Sequence, residues 1–143
     1  MDKQRKTEEL ENKLSDITNF SDYLEENSEQ LVSDTALSEY LEKLIAETGC
    51  KKSDIIKQTN LNRAYVYQIF EGRKIPSRDK LIAIAIGMGL DFGHIQKLLK
   101  YAGLRHLYAR DIRDAAIIFA VKNGYTFNET NCTLYEHGLR ILE

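Results

Sequence analysis

The chain has 143 residues, 43% of them hydrophobic and 29% charged, with a formal net charge of −2, which is enough for one good core with appendages and ordinary for a globular protein. No apolar run approaches the roughly 18 residues needed to span a bilayer, and the start MDKQRKTEEL has no apolar signal core. Cys50 and Cys132 are too few and too far apart for a metal site or a disulfide framework, so a reduced cytoplasmic protein with no membrane association is expected.

The predicted elements are all helical. Residues 1 to 34 read as an acidic N-terminal helical arm or partly disordered segment, in which Leu10, Leu14, Ile17, Leu24 and Leu31 form a sparse heptad seam interrupted by Ser21 and Ser28. A marginal coiled coil, a frayed arm and a helix that folds only against a partner or the body are equal readings. From Thr35, Leu37, Leu41, Leu44, Ile45 and Thr48 share one helical face, and Gly49 supplies a C-terminal cap. Lys52, Ser53 and Asp54 open a second helix carrying Ile55 and Ile56. Asn60 falls where a tight turn needs positive φ, and Asn62 caps a third helix with Val66 and Ile69 inward. Gly72, Arg73 and Lys74 close it.

Pro76 disfavours helix at Ile75, and Ser77 starts a fourth helix that buries Leu81, Ile84, Ala85 and Met88, with Gly87 and Gly89 weakening its end. Asp91 caps a fifth helix with Ile95, Leu98, Leu99 and Ala102, ended by Gly103. Two further helices follow. Residues 111 to 123 place Ile112, Ala115, Ala116, Phe119 and Ala120 at helical spacing, and Thr126 with Glu129 signals a capping box for a last helix that ends at Gly138. The apolar fragment from Leu139 to Leu142 would pack back on the body or meet a second subunit.

Charge is divided unevenly along this order. Residues 1 to 39 carry 11 acidic and 4 basic side chains, a balance of −7, leaving +5 for the rest. Between Cys50 and Lys80, eight cations (Lys51, Lys52, Lys57, Arg63, Arg73, Lys74, Arg78 and Lys80) face only Asp54, Glu71 and Asp79. A +5 cluster alone would suit a solvated helical face, but this one coincides with the helix pair joined by a tight turn.

The run SDIIKQTNLNRAYVYQIFEGRKIP, Ser53 to Pro76, resembles the helix-turn-helix of the Cro/CI-type, or xenobiotic-response-element, family of bacterial and phage regulators. The resemblance covers roughly residues 37 to 90 or a little beyond. It implies a five-helix DNA-binding domain, here over residues 35–103; the helices after it read as a C-terminal helical extension over 104–143 that completes the core or forms a dimer interface. Three positions depart from the family pattern. Ile56 replaces a small residue, so the motif helices are expected to sit slightly farther apart or repack; Asn60 replaces the turn glycine; and Phe70 with Glu71 displaces the usual acidic residue.

The resemblance places Arg63, Ala64 and Gln68 at base-contacting positions, on a recognition helix running from Asn62 to Phe70. Their chemistry agrees. Arginine suits guanine O6 and N7, glutamine suits adenine N6 and N7, and the alanine can meet a thymine methyl. Lys52, Ser53, Asn62, Tyr65, Tyr67, Arg73, Lys74 and Arg78 are the candidates for backbone phosphates, with the helix amides assisting; a tyrosine hydroxyl can reach a phosphate while its ring can equally pack on a neighbouring helix.

Catalysis has no constellation to stand on. His94, His106 and His137 are isolated, no nucleophile pair or metal-ligand spacing occurs, and Gly87-Met88-Gly89 lacks the strand a phosphate loop requires. Only Lys51 and Lys52 beside Cys50 hint at a depressed thiol pKa. The expectation is therefore a sequence-specific regulator of double-stranded DNA, homodimeric and without enzyme activity, cofactor, metal or catalytic residues. The alternative is a protein-interaction module that kept the fold without reading DNA, and RNA is a more distant one, because its deep major groove would not admit the helix.

Overall fold

The structure, a computed structural model, describes residues 34–143, so the heptad-like arm lies outside the described residues. Among those residues there are seven α-helices and no strand, as expected of an all-α chain: α1 (Asp34–Thr48), α2 (Lys52–Thr59), α3 (Arg63–Phe70), α4 (Arg78–Gly87), α5 (Phe92–Tyr101), α6 (Ile112–Lys122) and α7 (Phe127–Glu136). None is long and apolar enough to cross a membrane.

The helix starts follow the local chemistry read from the sequence. Asn62, Ser77, Asp91 and Thr126 each accept a hydrogen bond from the amide three residues on, and Glu129 returns a bond to Thr126 to complete the capping box. Asn60 has φ 57° and ψ 22° and is the one non-glycine residue with positive φ among the described residues. Its amide donates to the carbonyl of Ile56 at 2.9 Å, closing α2 so that α3 can turn back across it.

One core joins all seven helices. α1 packs on α3 and α5, α2 on α3, α4 and α7, and the α4–α5 and α6–α7 pairs pack on each other. Leu41, Ile55, Val66, Leu81, Ile84, Ile95 and Leu98 from the first five helices are fully buried, and so are Ile117 and Leu134 from the last two. Leu142 is 1% exposed, so the terminal apolar fragment packs back on the body.

The side chain of Ile56 packs against the core. It is half-buried, and the close approach is made by Ile55 and Thr59 against Gly87 of α4, where a Cβ would lie 2.8 Å from Thr59 Cγ2. Gly87 is thus the small residue at the contact between α2 and α4.

The second half of the fold repeats itself. Residues 78–107 and 113–142 correspond at a constant displacement of 35 along the chain, so that α5 maps onto α7 end to end (92 to 127, 101 to 136). The side-chain clamps repeat with the helices. Gln96 holds both the amide and the carbonyl of Leu107, at 2.8 and 2.9 Å, as Asn131 holds those of Leu142, at 2.8 and 3.2 Å. Arg78 donates to the carbonyls of Arg105 and His106, and Arg113 to those of Arg140 and Ile141. The halves are related by a pseudo-twofold rather than a translation, since Arg78 pairs with Asp114 while Arg113 pairs with Asp79.

Candidate nucleic-acid interface

The outward face of α3 is built by the turn before it and the loop after it. Asn62 Oδ1 accepts from the Tyr65 amide at 3.0 Å, which fixes the helix start and leaves the Asn62 amide group as a free-standing donor. Beyond Phe70, Gly72 takes φ 77° and lets the amides of Arg73 and Lys74 return to the carbonyl of Gln68, at 2.8 and 3.3 Å. Lys74 is thereby folded back beside α3.

The result is one concavity lined by Asn62, Ala64, Tyr65, Gln68, Lys74 and Lys80. Ala64 is exposed and Gln68 half-buried. The Tyr65 ring forms the floor, with Lys74 Nζ 5.6 Å and Lys80 Nζ 5.4 Å from its centroid. Burial raises the Tyr65 pKa, although the Ser77 amide bonds its hydroxyl and acts in the opposite direction. The phenol therefore stays neutral and contributes a dipole rather than a charge.

Arg63 lies on the adjoining flank, exposed, with its guanidinium carbon 5.2 Å from the Tyr67 ring. Lys52 Nζ also lies near this ring, at 5.5 Å, and 5.2 Å from that of Phe70. It is also paired with Glu42 of α1 at 2.9 Å, so part of its role is to tie α1 to the motif. Phe70 is buried in the core.

Ser53 stands exposed in the first turn of α2, but the anion-attracting amides there already have a carboxylate. Asp54 accepts from the Lys51 amide at 3.1 Å, and it would compete with an incoming phosphate. Arg73 is exposed and ion-paired with Glu71.

Arg78, expected beside Arg73 and Lys74 as a flanking cation, is turned inward. Its guanidinium bonds Asp114 at 3.0 and 2.8 Å and is only 16% exposed. The physical reason is helical phase: residues 78 and 80 differ by about 200° around the axis, so when one faces the concavity the other faces α6. Lys80 takes the outward place. Its presence in the basic run was visible in the sequence, but choosing between the two cations required knowing where α6 packs.

Around Asp114 burial alone would raise the pKa, but hydrogen bonds from Arg78 and the Tyr108 amide, together with the charges of Arg78 and Arg105, hold the carboxyl below its ordinary range. Cys50 moves the other way. Burial and Asp54 push its thiol up despite Lys51 and Lys52, so it lacks the signature of a reactive cysteine. No group of three or more His, Cys, Asp or Glu side chains that could hold a metal occurs among the described residues. Compared with protein-family models, curated proteins and solved structures, the chain matches none.

Proposed function

We propose that this chain is a sequence-specific transcriptional regulator of the Cro/CI type that binds double-stranded DNA as a homodimer in the cytoplasm. The observation that carries the reading is the convergence of Ala64 and Gln68 with Lys74 and Lys80 on one open concavity beside a left-handed Asn60 turn. α3 would enter the major groove, with Gln68 and Arg63 meeting base edges and Ala64 meeting a thymine methyl. Lys74, Lys80, Arg73 and the Asn62 amide group would hold the flanking phosphates and set the register. Ser53, Lys52, Tyr67 and the Tyr65 hydroxyl would serve as further phosphate donors. Arg78 would act from within, fixing the N-terminus of α4 that carries Lys80.

A helix of this size reads only a few base pairs, so affinity would come from two half-sites about one helical turn apart. No cofactor enters the recognition chemistry. Selection of bound oligonucleotides from a random duplex pool by the purified full-length chain tests the reading. Enrichment of a two-half-site sequence is expected. A pool that stays random, with the Gln68→Ala protein behaving like the wild type, would replace DNA reading by the protein-interaction alternative.

A further inference from the structure

On α4 the face formed by Ser77, Lys80, Leu81, Ile84 and Gly87 is turned to the motif, with α2 packed on α4 and Tyr65 of α3 reaching its edge. Leu81 and Ile84 are 0% exposed, Thr59 presses on Gly87, and the Tyr65 ring lies beside Lys80. Displaced by 35 residues, this face becomes Ile112, Ala115, Ala116, Phe119 and Lys122 on α6. There Ile112 is 75% exposed, and Phe119, the counterpart of Ile84, is 52% exposed even though its ring meets Tyr125 edge-on at 5.8 Å. Among the described residues, one copy of this duplicated face is covered and the other is not.

We propose that the α6 face is the twofold interface between two copies of this chain. The order along the stripe is large, small, small, large: Ile112, Ala115, Ala116, Phe119. Two such helices laid antiparallel with the axis between Ala115 and Ala116 bring each Ile112 against the partner's Phe119, while the alanines allow close approach of the backbones, the self-complementarity an isologous contact requires. Charge agrees with this arrangement. Asp111, whose side chain caps α6 at the Asp114 amide, and Lys122, whose Nζ lies 5.2 Å from the Phe92 ring, stand near opposite ends of the stripe, so the antiparallel pairing brings the Lys122 of one copy toward Asp111 of the other. Lys122 in place of Gly87 also denies α6 the tight approach that α4 gives to α2, which excludes an intimate repeat of the α2 contact.

The inference deepens the twofold part of the proposed function, and its test uses no DNA. Sedimentation equilibrium of the full-length chain from low to high micromolar concentration should show a monomer–dimer equilibrium. Phe119→Glu should weaken it by about tenfold or more, with far-UV circular dichroism unchanged. Should Phe119→Glu fail to fold, the second measurement decides: in a Cys50→Ser, Cys132→Ser background, Ala115→Cys should form an intermolecular disulfide under mild oxidation and Lys97→Cys should not. A wild-type monomer at high micromolar concentration, or a dimer with no cross-link at Ala115, overturns the interface. A monomer that still selects a DNA sequence overturns the interface alone; a dimer through α6 that selects none overturns the DNA reading alone.

Discussion

The guanidinium of Arg78 grips the carboxylate of Asp114 through both terminal nitrogens, and the pseudo-twofold repeats the grip between Arg113 and Asp79 at 3.0 and 2.8 Å. Adjacent Arg-Asp pairs at the starts of two helices thus exchange partners. The crossing locks α4, which carries Lys80, to the C-terminal helix pair.

Asp114→Asn should be among the most damaging single substitutions, because it leaves the Arg78 charge held at 16% exposure with a weakened partner. A loss of about 3 kcal/mol is expected in urea unfolding. The pH dependence follows from the lowered pKa. The contribution of Asp114 is fully present above the ordinary aspartate value of about 4 and is lost as pH falls through the lower folded value. Acid titration of stability should therefore be shallower in Asp114→Asn than in the wild type, and equal titrations would remove Asp114 from the account.

At the motif turn, Asn60→Gly should be neutral or slightly stabilising, whereas Asn60→Val should cost about 1–2 kcal/mol, since a β-branched side chain resists the left-handed conformation. Thermal unfolding of the two variants checks this. Equal melting temperatures would mean that the turn tolerates a right-handed backbone.

Gly87→Ala sets two effects against each other. Alanine is better than glycine in a helix by about 1 kcal/mol, but its Cβ would lie 2.8 Å from Thr59 Cγ2 and 3.5 Å from Ile55 Cγ2. Overpacking of about 1–3 kcal/mol should win. Destabilisation by denaturant unfolding is expected, with Thr59→Ser in the Gly87→Ala background recovering part of it by removing the clashing methyl.

Base-reading and phosphate-holding residues should separate on the selected DNA site. Gln68→Ala and Arg63→Ala should each cost about 1–3 kcal/mol on that site and relax preference only at the base they meet. Lys74→Ala and Lys80→Ala should weaken specific and non-specific binding alike, each flattening the log–log salt slope by about 0.9. Arg78→Lys should leave that slope unchanged, since Arg78 is committed to Asp114. Fluorescence anisotropy titrations across a salt series read all five variants.

Local chemistry was legible in the sequence, and position was not. The caps at Asn62, Ser77, Asp91 and Thr126, the left-handed Asn60 and the helical phases of Val66 and Ile69 depend on neighbours within a few residues, so the sequence by itself determined where these helices start and which face of α3 is apolar, whereas on α6 packing buried Ile117 and left the sequence-read Ile112 and Phe119 exposed. The outward placement of Ala64 and Gln68 on α3 follows from the same helical phase, which sets them opposite the buried Val66 and Ile69. The tertiary structure alone decided which cation lines the concavity beside α3, because Arg78 and Lys80 have similar charge and differ only in what packs against each side of α4. It also gave Gly87 its role, since a glycine near a helix end reads as a loosened turn until another helix is seen pressed against it. The duplication stands between the two: Arg78-Asp79 and Arg113-Asp114, Gly103-Leu104-Arg105 and Gly138-Leu139-Arg140 are spaced alike in the chain, but only the exchange of ion-pair partners in space distinguishes a twofold from a simple repeat.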